Sequence, residues 1–230
     1  MIVFAMELLL FEIVVALLYV FILRRWYNGW GATKEERAMK MPEDAMIKNP
    51  FIDMTHAISI QAPPEKVFQW FKQLGQGRGG YYSYDWLERL FLFGIHNVYR
   101  IEPEFQDMRL HDHIKLHKNG MGVTVLALEE NKKLVLGFDS RDYIEGRKYF
   151  SPLPKSMFAA GYWSFTLIEQ PNGATRLIER WQIEWTANNP IVNLLLVVFF
   201  ELPSFIMEQK MMRTIKHLAE GKPPEKIGFL

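Results

Sequence analysis

The chain has 230 residues, with 27 Lys and Arg against 26 Asp and Glu, for a net charge of +1. That length holds one domain of about 190 residues plus an appendage and crowds out a second full domain. The even charge balance gives no field for nucleic acid or for an acidic surface, and the lack of cysteine excludes disulfides, thiol nucleophiles and thiolate metal sites and fits a reducing compartment.

Ile2 to Leu23 is interrupted only by Glu7 and Glu12. As a helix it is about 33 Å long, enough to span a hydrocarbon core. Its Leu, Ile, Val and Phe residues outweigh a cost of at most roughly +3 kcal/mol for each glutamate at mid-helix. The segment therefore predicts a single-pass transmembrane anchor over residues 1–25. No basic region precedes it and no A-x-A-like site follows, which argues against a cleaved signal peptide. Arg24, Arg25, Lys34, Arg37 and Lys40 follow the run, so the positive-inside rule places the C-terminal domain in the cytoplasm. Trp26, Tyr27 and Trp30 are expected as an aromatic belt at headgroup level. Glu7 lies near one end of the run. Glu12 lies close to its middle, where protonation, or pairing with a helix partner in the bilayer, would tolerate it.

Residues 26–52 read as a linker with local structure. Thr33 to Glu36 forms a T-x-x-E capping box opening a short polar helix, and Met41-Pro42-Glu43-Asp44 and Asn49-Pro50 mark turns. Thr55 to Gln61 then alternates as a half-buried strand, with His56, Ile58 and Ile60 on one face and Ala57 and Ser59 on the other. Pro63 and Pro64 cannot donate to a ladder and suit the first turn of a helix, so the period changes there. Val67, Trp70, Phe71 and Leu74 follow at helical spacing, and Gly75 supplies the stop.

This strand, the A-P-P-E-K-V-F turn and helix start, and the G-Q-G-R-G-G-Y-Y-S-Y-D-W-L-E stretch after them resemble the START-like helix-grip superfamily (SRPBCC). The resemblance is in particular to its polyketide cyclase/dehydrase-like branch with a membrane-anchored N-terminus. It covers about Trp30 to Glu220, with its specific motifs ending at Trp86. It implies an α+β fold over residues 53–222, in which a curved antiparallel sheet grips a long C-terminal helix around an apolar cavity, with residues 223–230 as a tail. No single activity follows, because carriers, cyclases and sensors share such folds.

Downstream, Trp86, Leu87, Leu90 and Phe91 predict a second short helix ended by Gly94. Strand-like runs follow at His113 to Leu116, Gly122 to Leu128, Lys133 to Phe138, Tyr162 to Glu169 and Thr175 to Thr186. Turn signals at Asn119-Gly120, Asn131 and Pro171-Asn172-Gly173 make an antiparallel meander the economical reading. A last helix is predicted from Pro190, behind the possible caps Asn188 and Asn189, to near Gly221. Met207, Met211, Ile215 and Leu218 form its apolar stripe. Ile191 to Leu202 is apolar on all sides apart from Asn193 and Glu201, so it is either buried or a second membrane contact, and Pro203 kinks the boundary.

Several constellations carry possible chemistry. Gly75 to Gly80 is glycine-rich, but it follows a helix and lacks a Walker ending, so it reads as a structural loop. By the resemblance, Arg78, Tyr82, Tyr84 and Asp85 lie at the pocket or its mouth, although ordinary packing explains them as well. His111, His113 and His117 share strand parity, yet no carboxylate is tied to them by spacing; a solvated face is the default and no metal or other cofactor is assigned. Leu177, Trp181, Ile183 and Trp185 define an apolar face that also carries Glu179. That carboxylate is a candidate acid or base, as is Asp85, or else a salt-bridge partner of Arg176 or Arg180. Trp181 and Trp185 are candidate ligand contacts. The leading expectation is a membrane-anchored protein that binds a hydrophobic or lipid-like ligand in the cavity, for sequestration or short-range transfer. The alternatives are a cyclase- or dehydratase-type enzyme and a membrane-tethered interaction module working through Glu7 and Glu12. Nucleic acid is not an expected partner, and the membrane contact expected is Ile2 to Leu23, joined by Ile191 to Leu202 if that stretch is not buried.

Overall fold

A computed structural model describes residues 6–7, 10–12, 14–15, 18–86, 94–141, 158–185 and 200–224. Six strands form one antiparallel sheet: β1 (Ile52–Ile60), β2 (His113–Lys115), β3 (Gly122–Glu129), β4 (Lys133–Asp139), β5 (Ala159–Glu169) and β6 (Thr175–Trp185), in the order β1-β6-β5-β4-β3-β2. Strands β2 to β6 are a meander of sequential neighbours, as the turn signals predict. Strand β1 returns to the far side of β6, with Ile52 opposite Ile183 and Ile60 opposite Thr175. A register shift between Val125 and Ala127 interrupts the β3–β4 ladder, a bulge of the kind that bends a sheet.

Helical elements among the described residues include α1 (Arg24–Tyr27), which continues a π-helical turn at Tyr19–Leu23, α2 (Lys34–Ala38), α3 (Pro64–Lys72) and α4 (Leu202–Ala219). The capping box at α2 is present in both directions, Glu36 N–H to Thr33 Oγ1 and Thr33 N–H to Glu36 Oε2. Helix α3 has proline in its first turn and buries Val67, Phe68, Trp70 and Phe71. Helix α4 buries Phe205, Met211, Met212 and Ile215 against the inner face of the sheet, where Met54, Phe165 and Leu177 join the same core. The α+β arrangement of antiparallel sheet and C-terminal helix is as expected. The predicted second short helix lies outside the described residues beyond Trp86, as does the start of the last helix before Phe200.

The N-terminal segment corrects the sequence reading. Among the described residues no helix is long and apolar enough to cross a membrane, so the single-pass anchor, and with it the membrane-bound, cytoplasm-facing localisation, is not supported. The residues assigned to an aromatic belt have other partners. Tyr27 is fully buried and stacks on Phe205 at 5.5 Å, and Trp30 packs edge-on against both Phe205 and His56. Arg24, read as a flanking cation, donates to both carboxylate oxygens of buried Glu201 at 3.1 Å. Glu7 and Glu12 are exposed. The reading failed because a hydropathy run carries no information about partners some 175 positions away.

The stretch after α1 also closes the outer edge of β1. Thr55 N–H donates to Asn28 O and Ala57 N–H to Trp30 O, which covers a row of donors otherwise open to another strand. Gly31 has φ +71°, and a Cβ there would fall 2.1 Å from Ala57 O, so the close approach needs glycine. The chain then crosses the outer sheet face, where Met41 packs with Ala57 and Ile178, and Ile47 with Val135 and Tyr162. Arg180 fastens it: its guanidinium donates to Thr55 Oγ1, Asp44 and the carbonyls of Glu36, Arg37 and Met39. Arg176 does the same to Glu36 and Gly31 O. Replacing Arg180 with alanine removes one donor group from all of these acceptors at once, although Asp44 keeps Met41 N–H and Tyr162 O–H, and is expected to lower stability by about 2–4 kcal/mol in urea unfolding. A loss within about 0.5 kcal/mol, the range of ordinary surface changes, would show that the clamp contributes little.

Candidate functional site

Between the inner sheet face and α4 lies a cavity of about 290 Å³. Its walls are mostly apolar and aromatic, with Tyr81, Phe138, Trp163, Trp181 and Phe200 among the rings and Met121, Met207 and Met211 among the flexible side chains. At about 30 Å³ per water, the space equals roughly ten waters. Its polar lining residues include Ser83, Ser204 and Glu208.

Glu208 belongs to a buried cluster. Antiparallel pairing sets His56 of β1 directly opposite Glu179 of β6, both on the inner face. Nδ1 of His56 lies 2.9 Å from Glu179 Oε2, and its Nε2–H donates to Tyr27 O at 2.9 Å. The Trp163 indole N–H donates to the other oxygen of Glu179. From α4, Glu208 Oε2 stands 3.4 Å from the same Nδ1, at ion-pair distance but without a hydrogen-bonding partner among the described residues. His56 and Glu179 are each 1% exposed and Glu208 7%. One ligand-type atom from each lies within 4.8 Å of the others, so among the described residues these three are placed to hold a metal ion.

The electrostatics follow from this packing. Burial acts against the imidazolium of His56, but the hydrogen bond to Glu179 and the neighbouring carboxyls of Glu179 and Glu208 outweigh it and raise its pKa to about 10. Burial pushes Glu208 up to about 8; the charge of Glu179 adds to that and His56 partly opposes it. Near neutral pH the cluster is therefore an imidazolium–carboxylate pair beside a neutral carboxylic acid on a residue that lines an apolar cavity.

The residues predicted from sequence are scattered around this site. Trp181 lines the cavity and meets Phe200 at 5.5 Å. Glu179 is buried on the apolar face as read, but its partner is His56; Arg176 and Arg180 serve the opposite face. Trp185 stacks on Phe51 at 5.6 Å. Tyr82 is fully buried under Trp70, its hydroxyl accepting from Gln73 Nε2. Arg78 donates to the carbonyls of Lys72 and Phe105. Asp85 accepts from the Asn97 amide, and Tyr84 lies beside Trp86 and Lys210. The cavity is instead lined by Tyr81 and Ser83 from this loop. Gly75 and Gly80 exchange backbone hydrogen bonds at 3.0 and 3.1 Å, so their amides are spent within the loop. His113 donates to Gly120 O and His117 accepts from Asn119 N–H, which ties both to the β2–β3 turn. Sequence reasoning missed His56 and Glu208. The available signal was a lone carboxylate three residues after Phe205, in phase with Met212 and Ile215.

No family model and no curated protein matches the chain. Among solved structures it is similar to protein MLL2253 from Mesorhizobium loti, at 17% identity over 73% of this chain and 98% of that one, with a TM-score of 0.35. A protein from Arthrobacter aurescens is 9% identical over 77% and 92% of the two chains, with a TM-score of 0.41. CalU16 from Micromonospora echinospora is 13% identical over 74% and 84%, with a TM-score of 0.33. Likeness this distant identifies no substrate or activity.

The raised values of His56 and Glu208 fix a sign for stability against pH. Both groups bind protons more tightly in the folded chain than at their ordinary values of 6.5 and 4.5. Glu208's contribution is full below about 4.5 and lost as pH rises through about 8; that of His56 is full below about 6.5 and lost through about 10. In chelator-treated protein the urea midpoint is expected to fall steadily from pH 6 to 9.5, and the part of the fall below pH 8 to shrink in Glu208→Gln. A midpoint that is flat or rising across this window contradicts the assignment.

Proposed function

We propose that the chain binds a small, largely apolar ligand in the cavity between the sheet and α4 and holds it there for sequestration or hand-over. The observation that supports this is the cavity itself. Rings and methionines form an adaptable apolar wall, and a few convergent polar groups can orient one end of a guest. The volume suits a ligand with on the order of ten to fifteen heavy atoms, judged against roughly ten waters, such as a small ring system or a medium-length acyl chain. The neutral carboxyl of Glu208 and the hydroxyl of Ser204 would meet the ligand's polar end.

A second reading, acid–base catalysis on a ligand in the same cavity, is favoured by one observation: Glu208 reaches both the cavity and His56. In that case Glu208 would act on the substrate with His56 and Glu179 behind it, and Asp85, engaged with Asn97, would take no part. The interaction module built on Glu7 and Glu12 required a spanning helix and falls with it.

Native mass spectrometry of the full chain, with solvent extraction of what it carries, is expected to show a defined small apolar guest. Titration with a small apolar fluorescent dye such as 1-naphthylamine, which is within that size, should quench Trp163 and Trp181 fluorescence. Ser204→Phe places a ring in the cavity from α4 and should weaken dye binding by about tenfold or more, equivalent to about 1.4 kcal/mol, with unchanged circular dichroism. Equal binding by a folded Ser204→Phe protein would refute the assignment to this cavity.

A further inference from the structure

His56, Glu179 and Glu208 have the spacing of ligands around a cation. Nδ1 of His56 is 2.9 Å from Glu179 Oε2 and 3.4 Å from Glu208 Oε2. Ligand atoms held about 2.0–2.2 Å from a divalent first-row ion stand about 3 Å apart. We propose that these three side chains form a divalent transition-metal site, with Nδ1 of His56 and one carboxylate oxygen each from Glu179 and Glu208 as ligands and its open positions turned toward the cavity. The inference goes beyond ligand binding and stands or falls independently of it.

Three further observations bear on the site. First, the outer contacts orient the ligands as metal sites require. Nε2–H of His56 is committed to the Tyr27 carbonyl, which leaves Nδ1 as the coordinating nitrogen, and Trp163 holds one oxygen of Glu179 so that the other faces inward. Second, Glu208 Oε2 is buried, lacks a hydrogen-bond donor among the described residues and belongs to a residue 7% exposed. A buried carboxyl oxygen without a hydrogen-bond partner carries a desolvation cost that an ion, taking the place of the proton, would remove. Third, among the described residues these two carboxylates form no salt bridge with lysine or arginine; their ion-pair partner is His56. A dication balances two carboxylates and a neutral imidazole.

One imidazole with two carboxylates suits Zn²⁺, Fe²⁺ or Mn²⁺ better than the thiophilic ions, for which the chain has no cysteine. Glu208, alone of the three, lines the cavity, so an ion held there would lie beside the ligand that borders a guest. It could polarise a carbonyl oxygen or hold a water against the guest, which three protein ligands and an open position permit.

The test uses the full chain, stripped with chelator and dialysed separately against Zn²⁺, Mn²⁺ and Co²⁺, with bound metal counted by inductively coupled plasma mass spectrometry. One ion per chain is expected. Glu208→Gln should weaken binding by at least the 10–100-fold that loss of an outer-shell partner costs, while a His111→Ala/His117→Ala variant retains it. Should Glu208→Gln fail to fold, the unaltered protein still decides the matter: Co²⁺ bound by Nδ1 gives visible d–d bands and a paramagnetically shifted ring N–H that stays bonded to the Tyr27 carbonyl. Absence of stoichiometric metal, equal affinity in folded Glu208→Gln, or loss of the ion in the His111/His117 variant each overturns the proposal. Dye binding by the chelated protein reports on the cavity separately, so failure of the metal site and failure of the ligand reading give different results.

Discussion

His56 and Glu179 face one another across the β1–β6 ladder within a wall of aromatic rings, and neither could be buried there alone. An unpaired charge in such a place costs several kcal/mol, and breaking a buried pair by removing one member costs about 3–5 kcal/mol. Satisfying the pair recruits every layer of the molecule. The Tyr27 carbonyl arrives from the N-terminal helix, the Trp163 indole from β5, and the Glu208 carboxyl from α4. Slipping β1 by one residue would move His56 to the outer face and put Ala57 against Glu179. The requirement for this one partner thus helps to set the strand register, the docking of α1 and the rotation of α4.

Strand β6 serves two layers with opposite charges. Its odd-numbered positions present Leu177, Glu179, Trp181 and Ile183 to the cavity side, whereas Arg176 and Arg180 reach the segment lying over the outer face. Alternation of strand side chains makes this division possible. The result departs from a sheet with one dry and one wet face, because Ala57, Ile178 and Tyr162 are buried on the outer side as well. The stretch that reads as a linker is therefore a packed layer, and Glu36 and Asp44, whose side-chain partners include Arg176 and Arg180, are held below the usual carboxylate range. Burial opposes the effect at both.

The strands were legible because alternation and turn chemistry are local. Asn119-Gly120, Asn131 and Pro171-Asn172-Gly173 all fall where hairpins turn, and Asn131 and Gly173 adopt positive φ there. Partnership was not legible. Glu179 could be read as a carboxylate on an apolar face, but His56 is 123 positions away and becomes its partner only through strand order. Glu208 was hidden by phase: a stripe drawn through Met207, Met211, Ile215 and Leu218 is rotated slightly from the buried line through Phe205, Glu208, Met212, Ile215 and Ala219. In the Tyr-rich loop, positive φ at Gly80 and Tyr82 turns the backbone so that Tyr81 and Ser83 face inward, which no periodic pattern foretells. The N-terminal apolar run misled for a related reason. Composition favoured a membrane, while Tyr27, Trp30 and Arg24 had distant partners in Phe205, His56 and Glu201.

The order of strands also determines when the site can exist. Strands β2 to β6 pair with sequence neighbours, so the meander can form by successive closures far shorter than the one that pairs β1 with β6. The β1–β6 ladder must instead bridge more than half the chain, and α4 comes from its C-terminal end. Such long-range pairings form slowly, because the entropy of closing the intervening chain is lost before the contacts are gained. Until α4 docks, the inner wall of rings stands open to water, with Glu179 set among them. During synthesis that interval lasts at least until α4 leaves the ribosome, and a nascent chain with such a surface exposed is prone to aggregate.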